Sequence, residues 1–330
     1  MPKVSVIVPN YNHARFLPRR LDSILCQTFS DFEIIVLDDA SVDNSREIIN
    51  RYLPNPRIRF YANERNSGST FVQWNRGLEL AQGEFLWIAE SDDYAEPTFL
   101  ETLLPVIRSN PELGLVYCQS WKVDSTDRVE GSNLEWTNDL DSRRWLASFH
   151  NWGRDECARF LLWKNTIPNA SAVLLRRAAF VRAGGAACDM RLAGDWMTWV
   201  RILLVSDIAY VPEKLNYYRW HPATIRNTTP RGQCLAEAWR IQKFILQSCG
   251  VAASAPREVR RQVLNEFMTS VRSAPHGERW LEFRRGFRTF GAMAALNPLI
   301  STRLVLNRAY DFFKRISAKP INQSRKPVDF

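Results

Sequence analysis

Three acids and a serine, Glu90, Ser91, Asp92 and Asp93, stand directly after an apolar run, Phe85 to Ala89. Carboxylates set side by side repel one another, so the cluster asks for a compensating cation, and oxygen donors of this kind suit Mg²⁺ or Mn²⁺. A hard cation with so few protein ligands usually takes phosphate oxygens as its other partners. The same residues also read as a polar turn capping a helix that starts near Pro97. On these residues alone both readings stand.

Other candidate groups are spread along the chain. A second strand-like run, Glu33 to Leu37, ends in Asp38 and Asp39 and leads into a polar turn, where Asp38, Asp43 and Ser45 suit the start of a helix. Gly194, Asp195 and Trp196 open an amphipathic segment with Met197, Val200, Leu203 and Leu204 apolar. Asp195 falls in its first turn, where the helix dipole favours a carboxylate, so spacing alone makes it a capping residue. His221 stands in the segment Leu215 to Asn227, which follows a strand near Ile208 to Val211, and a lone histidine is more often structural than a ligand.

The elements that must position these groups alternate. Val4 to Val8 is a β-branched run ended by Pro9, Asn10 and Asn12, and Leu17, Leu21, Ile24 and Leu25 recur at helical spacing. Strand Glu33 to Leu37, a helix carrying Ile48, Ile49, Tyr52 and Leu53, strand Ile58 to Tyr61, and a helix ending near Ala81 follow, delivering the chain to Phe85. Alternation of this kind predicts an α/β protein with a mostly parallel central sheet flanked by helices, and a ligand crevice at the carboxyl ends of the strands. The turn after the first strand, PNYNHARF, has no glycine, which excludes a dinucleotide fingerprint, and no Gly-x-x-x-x-Gly-Lys loop occurs.

Four motifs, PNYNHARFL, LDDASVDNS, NSGSTFVQWNRGLELAQGEFLWIAESDD and AGDWMTWVRIL, stand in order between residues 4 and about 222. Together they resemble the family-2 inverting glycosyltransferases of the GT-A fold. The resemblance implies a GT-A domain over 1–230, with a donor half of about 1–119 and an acceptor half of about 120–230. It does not extend over 231–330, which chain length and the spacing of apolar residues such as Trp239, Phe244, Val263 and Phe267 make a basic, mostly helical C-terminal extension.

It also implies roles. Pro9 and Tyr11 would line the base pocket of a nucleoside diphosphate sugar, and Asp39 would accept a hydrogen bond from the base. The family's Asp-x-Asp begins here with Glu90, and Asp92 falls at the metal-binding position for Mg²⁺ or Mn²⁺. Ser91 and Asp93 belong to the donor-binding side, Asp93 and Glu90 orienting the site or meeting sugar hydroxyls. His221 matches a histidine that joins the metal or diphosphate, with Arg219 or Arg226 adding positive charge. Asp195 becomes the general base that deprotonates the acceptor hydroxyl. The rival readings are a sugar-nucleotide pyrophosphorylase, which wants a Gly-rich basic loop where PNYNHARF stands, and a glycan-binding protein without catalysis.

Between the two halves come Trp121, Trp136, Trp145, Trp152 and Trp163, either an acceptor platform for a glycan or core and lid packing. Asn169 and Ser171 are placed on the acceptor side. The six cysteines are scattered without a Cys-x-x-Cys pair, which argues against zinc or a disulfide framework and fits a reducing cytoplasm. The N-terminus reads as a first strand, not a signal peptide, and no apolar span reaches membrane length. Net charge is +9, unevenly placed: residues 231–330 hold 18 Lys and Arg against 7 Asp and Glu. Their aromatic, basic helical pattern fits either contact with an anionic membrane surface, at the inner face, where a lipid-linked acceptor would lie, or a cap packed on the catalytic domain. No nucleic-acid motif accompanies the charge, and nucleic acid is not expected as a partner.

Overall fold

A computed structural model describes residues 1–221 and 229–273. Arg226 and the basic residues beyond 273 lie outside the described residues, so the reading of that region as a membrane contact does too.

Ten strands form one sheet in the order β3-β2-β1-β4-β9-β6-β10-β5, with β7 on β6 and β8 on β10. The strands are β1 Val4–Asn10, β2 Phe32–Asp38, β3 Ile58–Ala62, β4 Phe85–Ile88, β5 Tyr94–Ala95, β6 Leu113–Val123, β7 Val129–Ser132, β8 Phe149–Asn151, β9 Val173–Arg176 and β10 Asp207–Arg219. From β3 to β4 every pairing is parallel. Beyond β4 the sheet is mixed, because β9 inserts antiparallel between β4 and β6, while β6 and β10 are parallel. The segment after Val211, read as following a strand, continues β10 through register shifts to Arg219.

The continuous apolar runs arise because the sheet is covered on both faces. Ile7, Ile35, Leu37, Leu86 and Ile88 point to one core, and their neighbours Val6, Val8, Ile34, Val36, Phe85 and Trp87 point to the other. Helices α1 (Leu17–Leu25), α2 (Ser45–Tyr52) and α4 (Phe99–Ser109) cover the second face. Helices α3 (Thr70–Leu80) and α8 (Gly194–Leu203) cover the first, reached through α5 (Leu134–Thr137), α6 (Gly153–Glu156) and α7 (Arg177–Arg182). Gly77 lets α3 lie close on β1: a Cβ there would clash with the Ile7 side chain.

Two further helices, α9 (Arg231–Ser248) and α10 (Ala255–Ser273), continue the first core. Trp239, Ile241, Ile245, Val259 and Val263 are buried in the cluster that holds Trp196 and Val200 of α8. Over residues 231–263 the C-terminal region is therefore packed on the sheet-and-helix body. Trp145 is also core, 3% exposed, whereas Trp152 is 74% exposed.

Candidate active site

Because β1 and β4 are adjacent and parallel, the turns that leave them meet. His13, in the turn after β1, has Nδ1 2.8 Å from Ser91 Oγ in the acid loop. On the other side, β5 follows that loop directly and pairs with β10, which carries the chain over the acids to His221. His221 Nε2 lies 3.2 Å from Asp92 Oδ2. One ligand atom each from His13, Asp92 and His221 falls within 4.8 Å of the others. The structure thus brings together Asp92 and His221, the two residues that the sequence reading offers as metal ligands, and adds His13, to which only the adjacency of the first and fourth strand ends points.

The acids divide by environment. Burial alone would raise the Asp92 carboxyl, but the His221 hydrogen bond and the electrostatic pull of His13 and His221 outweigh it and hold Asp92 below the usual range. Glu90 is pushed up to about 8 by burial and by Asp92, against the hydrogen bond from Trp74. Trp74 Nε1 donates to Glu90 Oε1 at 2.8 Å, and Thr70 adds a longer bond. Asp93 is raised to about 6 by burial and by Asp92. Its oxygens accept from Arg219 N at 2.8 Å and Asn169 Nδ2 at 3.0 Å.

Arg20 supplies a buried counter-charge. Its Nε donates to the Glu90 carbonyl at 2.8 Å, and its Nη1 and Nη2 have no partner among the described residues. Burial lowers this guanidinium to about 10, while Asp93, Asp92 and Glu90 pull it back up. A fully enclosed cation beside three acids lets them stand together at a cost in desolvation.

Several residues act behind the site. Arg219 is 2% exposed and engaged throughout, with Nε on the Asp92 carbonyl, Nη1 on the Asp124 carbonyl and Nη2 on Asp127, so its charge fixes the acid loop and is not turned to a diphosphate as the resemblance implies. Asn169 and Ser171 are buried too. Asn169 holds Asp93, Ser171 Oγ accepts from Glu90 N at 3.1 Å, and the Ser171 carbonyl accepts from Trp87 Nε1. They support the acid loop from below; the acceptor-side placement fails because the antiparallel β9 brings them under the end of β4.

On the other flank, Pro9 is buried at the end of β1 and Tyr11 is 45% exposed. Asp39 accepts from Asn63 Nδ2, from Ser67 N and Oγ, and from Gln73 Nε2, and so ties the loop after β3 to β2. Asp43 takes Ser45 N and Ala14 N, the helix-start role expected of it, and also links two turns.

Asp195 opens α8. Its Oδ1 accepts from Trp196 N at 2.7 Å and its Oδ2 from Asn165 Nδ2 at 3.0 Å. Asn165 and Asn169 bound a short segment with Asp195 at one end and Asp93 at the other, so their Cα atoms are at most about 14 Å apart. Helix α3 also spans the gap: Trp74 reaches Glu90, while Phe71 lies against Gly194, where a Cβ would come within 2.5 Å of its ring.

A parallel sheet of four strands, an acid loop at the end of the fourth and an antiparallel strand beyond it make this a GT-A fold. The chain belongs to glycosyl transferase family 2, whose family model matches residues 5–182. It is 36% identical over 119 residues to an uncharacterized glycosyltransferase, alr2836, of Nostoc, covering 35% of this chain and 36% of that one. It is 32% identical over 137 residues to chondroitin synthase of Pasteurella multocida, covering 41% of this chain but only 14% of the relative. The matched segments thus span well under half of these relatives. Among solved structures, S. aureus TarS in complex with UDP-GlcNAc superposes with a TM-score of 0.68 at 18% identity, covering 88% of this chain and 80% of that one. The mannosyltransferase PcManGT from Pyrobaculum calidifontis, in complex with GDP-Man and Mn²⁺, gives 0.57 at 18% identity, covering 96% and 82%.

Proposed function

We propose that the protein is an inverting glycosyltransferase, moving a sugar from a nucleoside diphosphate sugar to an acceptor hydroxyl. The observation that carries this reading is the convergence of His13, Asp92 and His221 at the end of β4. Two imidazole nitrogens and a carboxylate oxygen fit a divalent cation, and nitrogen donors favour Mn²⁺ over Mg²⁺. Asp92 and His221 would hold the metal with His13 as third ligand, and it would supply neutralisation of the charge that develops on the leaving diphosphate.

The chain's own residues do the rest. Pro9 and Tyr11 border the base. Asp39 shapes that pocket through the 63–69 loop, and it gains an acceptor site for a ring N–H when the Ser67 hydroxyl turns to its alternative partner, the Ser69 carbonyl at 3.2 Å. Ser91 orients His13, and Asp93 and Glu90 set the acid loop. Asp195 takes the acceptor proton as the acceptor oxygen bonds to the anomeric carbon and the bond to the diphosphate oxygen breaks, which inverts the configuration. An ionised aspartate is a weak base, so its contribution comes from position and from late proton transfer.

The acceptor we assign is a glycan or lipid-linked glycan in cell-surface polysaccharide or glycolipid assembly, in keeping with the polysaccharide synthase among the relatives. Residues 1–230 form the transferase domain, and the basic surplus in 231–330 supports contact with an anionic membrane surface from the cytoplasmic side. No helix among the described residues is long and apolar enough to cross a membrane.

The test is turnover of a panel of UDP-, GDP- and dTDP-sugars with Mn²⁺, followed by proton NMR of the product. Release of nucleoside diphosphate with a product of inverted anomeric configuration is expected. Consumption of a sugar phosphate and nucleoside triphosphate instead would make the protein a pyrophosphorylase.

A further inference from the structure

Three consecutive backbone N–H groups just before α8 converge on one carboxylate from α9. Glu237 Oε1 accepts from Arg191 N at 3.0 Å, and its Oε2 accepts from Leu192 N at 2.9 Å and Ala193 N at 2.8 Å. The side chain is 8% exposed, and Gln233 Nε2 adds a bond to Oε1 at 3.2 Å. Charge-assisted bonds of this kind are about twice as strong as neutral ones, and here they meet the positive end of a helix.

Ala193 is the residue from which α8 starts: its carbonyl accepts from Met197 N, and Asp195 stands two positions on. The same loop is pinned at its other end by α3. Asn75 Oδ1 accepts from Ala186 N at 2.7 Å, next to Gly185, whose φ of +74° and close approach to Asn75 exclude a side chain. The loop therefore hangs between two helices, and the end nearer Asp195 is held by Glu237. The apolar side of α9 cannot slide away, since Trp239, Ile241 and Ile245 are buried in the core with Trp196 and Val200.

We infer that Glu237 is a positioning residue for the general base: α9 belongs to the catalytic machinery because its carboxylate sets where α8 begins and hence where the Asp195 carboxylate stands. This rests on the reading of Asp195 as base. A displacement of about 1 Å at such a group costs about a hundredfold in rate, which sets the scale of the expected effect.

The experiment is a double-mutant cycle on the intact chain, with Glu237→Ala, Asp195→Asn and both together, measuring kcat, the KM for the donor, and the rise in melting temperature produced by the nucleoside diphosphate with Mn²⁺. Glu237→Ala is expected to lower kcat ten- to a hundredfold, to leave donor KM within about twofold, and to add little further loss in the Asp195→Asn background. Should Glu237→Ala not fold, Glu237→Gln carries the test, since it keeps the volume but offers one acceptor oxygen for three amides. Losses that multiply in the double variant, or a parallel fall in donor binding, would overturn the inference and leave Glu237 a stability residue. Full activity of Asp195→Asn would instead overturn the reading of Asp195, whatever Glu237 does.

Discussion

His221 Nε2 lies 3.2 Å from Asp92 Oδ2, so two residues 129 positions apart close one edge of the acid loop. The contact exists because β10 runs past β5 and ends above the loop that β5 leaves. His13 approaches the same carboxylate from the turn after β1, with Ser91 on its Nδ1. Expected from this is a two-nitrogen environment for bound Mn²⁺. Pulsed electron paramagnetic resonance of the Mn²⁺ complex should count two directly bound imidazole nitrogens in the wild type and one in either His13→Ala or His221→Ala. Mn²⁺ affinity should fall in each by at least the roughly 10–100-fold that loss of a ligand's supporting partner costs.

Asp195→Asn keeps the acceptor oxygen that bonds Trp196 N, so the start of α8 is retained. What it removes is basicity, together with the acceptor for Asn165 Nδ2. Turnover should drop about 10²–10⁴-fold, the range for a positioned acid–base group. Donor binding, followed by the melting shift with nucleoside diphosphate, should stay unchanged; a matching loss of binding would place Asp195 in the donor site.

Glu90 gives the metal-free protein a pH signature. Its folded pKa is raised to about 8, by burial and by Asp92, from an ordinary value of 4.5. The folded state therefore holds a proton there that the unfolded chain has lost between these values, and the stability that Glu90 contributes is full below about pH 4.5 and is lost as pH rises towards 8. The loss should be on the order of 2 kcal/mol, less than the whole shift would give because the side chain is partly open to solvent. Chemical denaturation of wild type and Glu90→Gln between pH 5 and about 8.5 checks it: the variant should lack this slope.

Arg20 is the enclosed cation beside Glu90, Asp92 and Asp93. Arg20→Met keeps most of the volume and leaves the acids without it. Destabilisation of about 3 kcal/mol at pH 8 is expected, the lower end for breaking a buried charge pairing. Added Mn²⁺ should recover part of it by replacing the positive charge. A melting curve insensitive to the substitution would show that the acids need no counter-ion there.

Much of this was legible in the chain. Acids directly after the runs Glu33–Leu37 and Phe85–Ala89 had to gather at one sheet edge once those runs became parallel strands on either side of β1, and the four motifs named the family that the comparison bears out. Nothing in the sequence singles out His13, because a single histidine in a turn has no spacing partner; only the pairing of β1 with β4 supplies one. Arg20 reads as one more charge on the amphipathic α1, yet it is wholly buried. Asn169 and Ser171 were misplaced because nothing local says that β9 runs antiparallel. Glu237 looks like an ordinary helix-surface acid, and its three partners lie some 44 to 46 residues upstream. Contacts of that separation are fixed by packing, not by pattern.

The most direct test of the central claim, that the end of β4 is a metal-assisted nucleotide-sugar site, is a melting-temperature panel. UDP, GDP, dTDP and CMP are each added with and without Mn²⁺ to wild type and to Asp92→Ala. A ligand that binds only the folded state stabilises by about 2.7 kcal/mol at a hundredfold excess over its dissociation constant, a shift easily read. One diphosphate should stabilise the wild type with Mn²⁺ and much less without it, and Asp92→Ala should abolish the difference. A wild type that no nucleotide shifts, with or without metal, would contradict the account.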